Sequence, residues 1–390
     1  MTAVAITGIG VVSAYGVGVA PFWEGLVAGR SAVRPLERAR VPGVELGAEV
    51  PALDLRAFAR TPLARRIDRT SLLALAACRL ALADAGEPLA AVAPERASLV
   101  LGSALGNLGE TEDFLDRLFE RGAGIPLVFP NLVMNAPLSY ASIELGITGQ
   151  TAFVSEGEVS GEAALAWGAG LVADGAADVC LAGGADELDG VLCEVLRDAR
   201  AFTGGTRPGE GAAVLVLEPL TRAEARGARV YARLLPHVGF GVPSAVHRWP
   251  SDAAAVAEGL APLVADADLV IAAANGRAAL DRVELAALRQ ALGARRPAVT
   301  ALRGAFGDFG CAGALSAAAA TLAIATDTIP PAAAPPSHLD GLDLVQREAR
   351  RGPVRSAVVN ALARGGLCRP LRLERHAAPP GRAGTSGATG

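Results

Sequence analysis

The feature that most constrains the fold is an alternation between short apolar runs and longer segments with helical periodicity. The short runs are typical of buried strands, and the longer segments are typical of helices that pack on a sheet. The predicted strands are residues 4–9, 97–102, 151–155, 179–182, 212–217, 230–235, 269–273, 357–362 and 368–373. The predicted helices are residues 68–85, 110–121, 161–173, 253–264, 280–292 and 312–325.

The alternation occurs twice, in two halves of comparable composition. This repetition indicates an α/β protein whose central sheets are covered by helices on both faces. We predict an N-terminal half at residues 1–218 and a C-terminal half at residues 219–376. Residues 377–390 are small residues with Pro, Gly, Ser and Thr, and we predict that this tail is disordered.

Composition and charge exclude several classes of protein. Hydrophobic residues make up 51% of the 390 residues, so the body of the chain does not have the composition of a disordered protein. No apolar run is long enough to cross a membrane, and the first residues lack the pattern of a secretory signal, so we expect a cytoplasmic protein. The net charge of -4 gives no reason to expect binding to nucleic acid. All 36 basic residues are Arg, which excludes a Schiff-base lysine and a phosphate-loop lysine.

The cysteines and histidines show no pattern of a disulfide framework or a metal site. The 5 cysteines and 4 histidines are scattered, without any CxxC, HxxH or HxxxH motif. The cysteines lie among Ala, Val and Gly, which is typical of small buried residues. We therefore predict that Cys311 and Cys368, although near glycine-rich turns, are core residues and not reactive thiols. We expect neither a metal nor a cofactor.

Seven strings, taken in order, resemble the β-ketoacyl synthase family of the thiolase fold over about residues 1–375. They are VAITGIGVVSAYG (4–16), ARRIDRTSLLALAA (64–77), LVLGSALGNLG (99–109), VFPNLVMNAPLSYASIELGITGQT (128–151), DVCLAGGADE (178–187), GEGAAVLVLEPLTRAEARGARVYA (209–232) and GCAGALSAAAATLAIATDTIPP (310–331). The resemblance implies a thiolase-like fold, in which two similar α/β halves form a layered α-β-α-β-α architecture.

The resemblance also implies where a reactive site would lie. In that family a nucleophilic Cys sits on a sharp strand-to-helix turn, where the helix N-terminus favours an anion. The Cys accepts an acyl chain from an acyl carrier protein. Two His then assist the decarboxylation of malonyl carrier protein, and the resulting enolate attacks the thioester.

None of these three catalytic residue types stands at the matching position of this chain. Glu158 occupies the place of the Cys, and Asn275 and Asp308 occupy the places of the two His. Arg303 replaces the family's Lys, and Arg364 replaces its gating Phe. A Glu carboxylate would form a labile anhydride in acyl transfer, and Asn is neither an acid nor a base near neutral pH. The matches therefore predict a chain that does not condense by itself.

The sequence resembles the members of the family that lack these residues, the chain length factors or ketosynthase β subunits of type II polyketide systems. Gln is common there at the position of Glu158. In that group the inactive subunit pairs with an active ketosynthase and helps to bound the partner's acyl tunnel, where bulky side chains limit chain growth. The implied partners are an active ketosynthase and, through the complex, an acyl carrier protein. The candidate tunnel and interface residues are Leu105, Leu108, Phe114, Phe129, Val133 and Met134.

Several candidate residues have a structural interpretation beside the functional one. Glu158 is either an acid or base or a plug, and we favour the plug, with its carboxylate held by N–H groups at a helix N-terminus. We expect Glu156 to be an interface residue or one partner of an internal pair. We expect Asn275 to satisfy neighbouring backbone groups, and Arg303 to pair with Asp308 or with Glu158.

Three functions remain open from the sequence. The first is a non-condensing subunit that forms a heterodimer with a ketosynthase and shapes its tunnel. The second is a stand-alone enzyme that acts on acyl or malonyl carrier-protein thioesters with Glu158 as acid or base. The third is a homodimeric protein that binds acyl chains or carrier proteins. We favour the first, because all three reactive positions have changed together.

Overall fold

Strands of one mixed sheet pass through both halves of the chain. The structure is a computed structural model that describes residues 2–51, 54–60, 67–201, 205–237, 239–333 and 341–377. The predicted disordered tail, residues 377–390, lies outside the described residues except for Ala377. The strands are β1 (Val4–Ser13), β2 (Gly16–Val17), β3 (Arg34–Pro35), β4 (Leu46–Gly47), β5 (Ala97–Gly102), β6 (Thr151–Val154), β7 (Val179–Asp186), β8 (Gly211–Pro219), β9 (Ala232–Leu235), β10 (Phe240–Gly241), β11 (Leu269–Ala272), β12 (Ala298–Ala301), β13 (Thr328–Ile329), β14 (Asp343–Leu344), β15 (Arg350–Arg351), β16 (Ser356–Val359), β17 (Leu367–Cys368) and β18 (Leu371–Glu374).

Helices connect most of these strands. The α-helices are α1 (Val19–Val27), α2 (Arg69–Asp84), α3 (Leu108–Arg121), α4 (Ala136–Leu145), α5 (Ser160–Ala173), α6 (Gly190–Asp198), α7 (Leu220–Ala225), α8 (Ala253–Val264), α9 (Ala278–Leu292), α10 (Arg303–Phe306) and α11 (Ala312–Thr326). No helix within the described ranges is long and apolar enough to cross a membrane.

The two halves of the chain repeat one sheet topology. The strands lie in the order β6-β5-β7-β8-β1 in the first half and β12-β11-β16-β18-β9 in the second. Numbered within its half, each set reads third, second, fourth, fifth, first. The pairings agree as well, because the first three strands in each order are parallel and the other pairings are antiparallel. β1 and β9 pair with each other and join the halves.

Three layers of helices enclose the two halves of the sheet. α2 and α4 pack on the outer face of the first half, where Leu75 and Leu138 enter the core. α8 and α9 cover the outer face of the second half through Leu260 and Leu288. α5 and α11 lie between the halves and share one core with strands of both. This is the layered α-β-α-β-α architecture that the resemblance predicted.

Two predicted strand ends are wrong, and both fall at glycines. β1 was predicted to end at residue 9, before Gly10, but it continues to Ser13. A Cβ on Gly10 would lie 1.9 Å from the carbonyl oxygen of Ala77, so this glycine permits α2 to lie directly on the strand. β7 likewise continues past Gly183, where a Cβ would lie 2.0 Å from the carbonyl oxygen of Ala213 on β8. Close backbone approach explains both glycines, and no chain reversal occurs there.

Most other predicted segments are confirmed with ends shifted by a few residues. α2 is the clearest example, since the Asp68 Oδ1 accepts a hydrogen bond from the Ser71 N–H at 2.8 Å and caps the helix. Gly86 follows the end of α2 in the left-handed region, with φ of 75°. Residues 368–373 were predicted as one strand, but β17 and β18 are separate strands there.

Candidate functional site

A sharp turn between β6 and α5 places Glu158 at the start of a buried helix. After β6 the chain forms a short 3-10 helix, Gly157–Val159, and Gly157 takes a φ of 59°. The Ser160 hydroxyl accepts a hydrogen bond from the Glu156 N–H at 2.9 Å and donates one to the Gly157 carbonyl oxygen at 2.8 Å. These bonds fix the turn. The predicted strand-to-helix turn is therefore present, with a carboxylate at its tip.

The carboxylate of Glu158 forms an ion pair with Arg364, from the other half of the chain. Its Oε1 lies 2.5 Å from Nη2 and 2.6 Å from Nε of Arg364, and its Oε2 accepts from the Arg364 backbone N–H at 3.3 Å. The side chain of Glu158 is 16% exposed. The predicted capping by helix N–H groups is wrong, because no side chain caps α5 and the guanidinium, a stronger partner for a carboxylate, lies within reach.

A second ion pair connects the same turn to the same C-terminal segment. The Glu156 carboxylate accepts two hydrogen bonds from Arg369, at 2.7 Å from Nε and 2.9 Å from Nη2. This hydrogen bonding raises the pKa of Arg369. The prediction that Glu156 belongs to an internal pair is confirmed. The two pairs, Glu156–Arg369 and Glu158–Arg364, attach the turn to residues 364–369.

Asn275 and Asp308 lie side by side, as the family resemblance implied. The Asn275 amide donates to the Asp308 Oδ2 at 2.8 Å, and its Oδ1 accepts from the Arg277 N–H at 3.0 Å. Asp308 also pairs with Arg303, whose Nη1 lies 3.2 Å from Oδ1. The predicted backbone role of Asn275 and the predicted Arg303–Asp308 pair are both confirmed.

Arg303 is not paired with Glu158. It pairs with Glu162, which lies four residues after Glu158 in the first turn of α5. Its Nη2 lies 3.2 Å from the Glu162 Oε1, and the side chains of Arg303 and Glu162 are 2% and 0% exposed. Burial raises the pKa of Glu162 to about 7, although the Arg303 cation opposes this rise. Gly313 makes room for the carboxylate, because a Cβ there would lie 1.7 Å from the Glu162 Oε1. One buried cation thus holds two acidic side chains.

A cavity of about 640 Å³ lies in front of these groups. Glu158, Asp308 and Arg364 line it, whereas Asn275 and Arg303 lie behind Asp308. Leu105 is the only candidate tunnel residue among its described lining residues. The described lining includes one histidine, the exposed His247, and no cysteine. The described lining of this cavity therefore offers carboxylates and a guanidinium but no thiol.

Most candidate tunnel residues are exposed in the single chain, whereas Leu108 and Phe114 are half-buried. Phe129, Val133 and Met134 are 59%, 48% and 41% exposed, and Leu105 is 45% exposed. Phe114 and Phe129 stack edge to face, with ring centroids 6.1 Å apart. Leu108, Phe114, Phe129, Val133 and Met134, together with Leu105 at the cavity, form what we call the apolar surface, and α3 is part of it.

The cysteines do not supply a displaced nucleophile. All five are free and buried. Cys311, the nearest to the glycine-rich turn before α11, donates its S–H to the Gly102 carbonyl oxygen at 3.0 Å. Burial and the adjacent Asp186 carboxylate raise the pKa of this thiol. A buried thiol with a raised pKa is a poor nucleophile, which agrees with the predicted core role.

Several buried carboxylates around the site were not predicted from the sequence. Among them are Glu162 on α5, Asp186 and Glu187 on the cavity wall, and Glu284 on α9. Burial, with the neighbouring carboxylates of Asp68 and Asp189, raises the pKa of Glu187 to about 8. A usable signal existed for Glu284, because it lies four residues from Leu280 and from Leu288 on the buried face of a helix.

Comparisons with known proteins identify relatives along nearly the whole chain. The family profile described as "Beta-ketoacyl synthase, N-terminal domain" matches residues 1–223, and "Beta-ketoacyl synthase, C-terminal domain" matches residues 252–334. A polyketide beta-ketoacyl synthase 2 of Streptomyces halstedii is 33% identical, over 96% of this chain and 97% of its own length. The tetracenomycin polyketide synthase ketoacyl synthase alpha subunit of Streptomyces glaucescens is 31% identical, over 89% and 92%.

The solved structures give the same result for the fold. The structure titled "The ishigamide ketosynthase/chain length factor" superposes with a TM-score of 0.88 and 27% identity, over 96% of this chain and 100% of that chain. A β-ketoacyl synthase from Burkholderia phymatum superposes with a TM-score of 0.81 and 25% identity, over 97% and 100%.

Proposed function

This chain belongs to the β-ketoacyl synthase family, and we propose that it acts there as a non-condensing subunit, a chain length factor of a type II polyketide system. In this role it pairs with an active ketosynthase and helps to bound the tunnel in which the partner's acyl chain grows. The acyl carrier protein interacts with this chain through the complex with the ketosynthase.

The observation that carries the proposal is the ion pair between Glu158 and Arg364. In this family the turn before α5 presents a thiolate that accepts the acyl group, and here it presents a carboxylate bound to a guanidinium at 2.5 Å. An acyl group on that carboxylate would be an anhydride, which water hydrolyses readily. The turn is therefore retained as structure, with an ion pair in the place of the nucleophile.

The residues behind the turn support the same interpretation. Asp308 and Asn275 hydrogen bond to each other, and Arg303 neutralises Asp308. Neither an amide nor a carboxylate paired in this way is a counterpart of the neutral imidazole that serves as a proton shuttle or as a hydrogen-bond donor to an enolate. These three side chains therefore supply hydrogen bonds and opposite charge to one another.

The exposed apolar surface supports pairing with another subunit. β6 is an edge strand that pairs only with β5 among the described strands, so its other edge is open to a strand of a partner. The apolar surface lies close along the chain to this edge. A group of large apolar side chains that are exposed together is typical of an interface. The neighbouring structure titled as a ketosynthase/chain length factor is named for such a pair.

Side chains of the apolar surface would then set the length of the tunnel. Phe129 has a large aromatic side chain and Met134 a large flexible one, and both are exposed in the single chain. In a close-packed interface each would fill volume that an acyl chain could otherwise occupy. Shortening one of them should leave room for further CH₂ groups.

The stand-alone enzyme remains the second candidate, because a cavity of about 640 Å³ persists and Glu158 lines it. The two candidates differ in what Glu158 does. A catalytic Glu158 is needed for every turnover, whereas a structural Glu158 is needed only to hold the turn against Arg364.

The decisive experiment coexpresses the chain with the Cys-containing ketosynthase encoded nearest to it. Light scattering after size exclusion measures the complex, and mass spectrometry measures product length. We expect a 1:1 complex, and products longer by about one two-carbon unit with Met134→Ala. Leu46→Ala is the matched control, because Leu46 and Met134 are both 41% exposed. No complex and no change in product length would refute the proposal.

A second variant separates the alternatives. Glu158→Gln keeps the shape of the side chain and removes its charge. If the chain is a structural subunit, the complex retains at least about half of its activity, because Gln still accepts from Arg364. A stand-alone activity of the purified chain that disappears with Glu158→Gln would establish the enzyme instead.

A further inference from the structure

Helix α3 has no place in the core of the single chain. None of its 14 residues is buried. Leu115, Leu118 and Phe119 are 41%, 37% and 81% exposed, although they share one face of the helix. An isolated helix of this length is marginal in water, so a partner that covers this face would stabilise it.

The carboxylates of α3 are arranged in a row beside that apolar face. Glu112, Asp116 and Glu120 follow one another at intervals of four residues, which places them on one line along the helix. On a helix of 3.6 residues per turn this line lies directly next to Phe119 and Leu108. We call Glu112, Asp116 and Glu120 the acidic row.

The acidic row is not neutralised within the chain. No ion pair in the described part of the chain includes a carboxylate of α3. Partial burial and then the Asp116 carboxylate raise the pKa of Glu112. Like charges four residues apart destabilise a helix, so the row does not serve the stability of α3 itself.

The segment that follows α3 and carries Phe129, Val133 and Met134 of the apolar surface supplies no compensating charge. Residues 122–143 contain no Asp, Glu, Lys or Arg. α3 carries five acidic residues and two Arg, so residues 105–143 have a net charge of -3. A two-fold homodimer through this surface would bring two equal negative patches together, because such an interface uses the same patch twice.

We propose that the acidic row of α3 selects the partner subunit: it favours a ketosynthase whose facing surface is apolar with a basic margin, and it disfavours a second copy of this chain. This inference rests on the proposed function and adds to it the charge of the partner. Repulsion against the wrong partner and attraction to the right one come from the same three carboxylates.

The test compares three forms of the full chain. The reversed form carries Glu112→Lys, Asp116→Lys and Glu120→Lys, and the neutral form carries Glu112→Gln, Asp116→Asn and Glu120→Gln. The control form makes the same charge change at three exposed acidic residues away from α3, with the substitutions Glu95→Lys, Glu258→Lys and Glu348→Lys. All the substituted side chains are exposed, so we expect each form to keep the core of the wild-type protein.

The first measurement is the affinity for the coexpressed ketosynthase at two salt concentrations. In about 50 mM NaCl we expect the reversed form to bind about ten-fold more weakly than wild type, and the control form to bind like wild type. The difference should shrink in about 500 mM NaCl, because salt screens charges at an exposed margin. Equal binding of the reversed and wild-type forms would overturn the inference while leaving the proposed function intact.

The second measurement needs no ketosynthase. Analytical ultracentrifugation of each form alone measures self-association, which we expect to be about ten-fold stronger for the neutral form than for wild type at low salt. Identical sedimentation of the two forms would overturn the inference. Wild type that binds no ketosynthase at either salt concentration would overturn the proposed function, and this inference with it.

Discussion

Glu284 permits a quantitative test of the buried polar network. Its side chain is fully buried on α9. Its Oε1 accepts hydrogen bonds from the Ala273 N–H at 2.7 Å and from the Asn360 amide at 2.5 Å, whereas its Oε2 has no hydrogen-bond partner among the described residues. The Asn360 Oδ1 has none either. Burial raises the pKa of Glu284 from 4.5 to about 7, so the protein bears the cost of a buried charge above neutral pH.

The perturbation is Glu284→Gln, which makes the side chain permanently neutral. Between pH 4.5 and about 7 the folded wild type binds a proton that the unfolded chain has released, so its free energy of unfolding falls as pH rises. The full difference corresponds to about 3 kcal/mol, at about 1.4 kcal/mol per pH unit. The Glu284→Gln variant has no such pH-dependent fall in its free energy of unfolding. Its free energy of unfolding relative to that of wild type should therefore rise by about 2–3 kcal/mol between pH 5 and pH 8.

The assay is equilibrium urea unfolding at pH 5, 6.5 and 8, followed by circular dichroism. Glu258→Gln is the control, because Glu258 is exposed on a neighbouring helix, α8, and the same chemical change there should give no pH-dependent difference. A Glu284→Gln effect that is equal at pH 5 and pH 8 would show that the carboxyl is not neutral in the folded protein. Burial would then not be what controls the protonation of this carboxyl group.

Three further predictions follow from other contacts. Arg303→Met removes the cation between two buried carboxylates and should lower the free energy of unfolding by about 3–5 kcal/mol, and a loss below about 1 kcal/mol in urea would contradict this. Gly10→Ala places a Cβ 1.9 Å from the Ala77 carbonyl oxygen, so the melting temperature should fall, by an amount equivalent to about 1–3 kcal/mol, and an unchanged melting temperature would contradict it. Cys311 should resist iodoacetamide at pH 8 in the native protein and react in urea, as peptide mass spectrometry would show, because the thiol is buried and its pKa is raised.

The parts of the fold that local signals determine were predictable. α2 carries its own start and stop signals, Asp68 as an N-cap and Gly86 after its end. α8 has the predicted ends, and Asp252 caps it by accepting from the N–H groups of Ala254 and Ala255. Capping depends on residues within one turn, so the sequence alone contains the information.

The glycines show where local reasoning fails. Gly10 lies in the middle of a strand because a helix about 70 residues further along packs against it. A glycine that permits a turn and a glycine that permits close packing look alike in one sequence. Only the position of α2 distinguishes them, and that position depends on the whole first half of the fold.

The candidate site was predictable in position and in some of its contacts, such as the Arg303–Asp308 pair, but not in the partner of Glu158. The match to the family's three catalytic positions singled out Glu158, Asn275 and Asp308, and the last two are hydrogen bonded. The partner of Glu158 was not predictable, because Arg364 lies 206 residues away and reaches it through the packing of the two halves. The prediction of helix capping rested only on the neighbouring N–H groups. A guanidinium within reach binds a carboxylate more strongly than these groups do.

Helix α11, which packs behind the turn at Glu158, differs from that turn in how much substitution it can accept. In α11, residues 312–324 are all buried, and seven of these thirteen are alanine. An alanine in a close-packed interior can be replaced almost only by something larger, and there is no space to receive it. Tolerance to substitution should therefore fall abruptly from the turn at Glu158 to the helix packed behind it. Substitutions should therefore be accepted at the exposed tip of the turn, while the central helical layer stays tightly constrained.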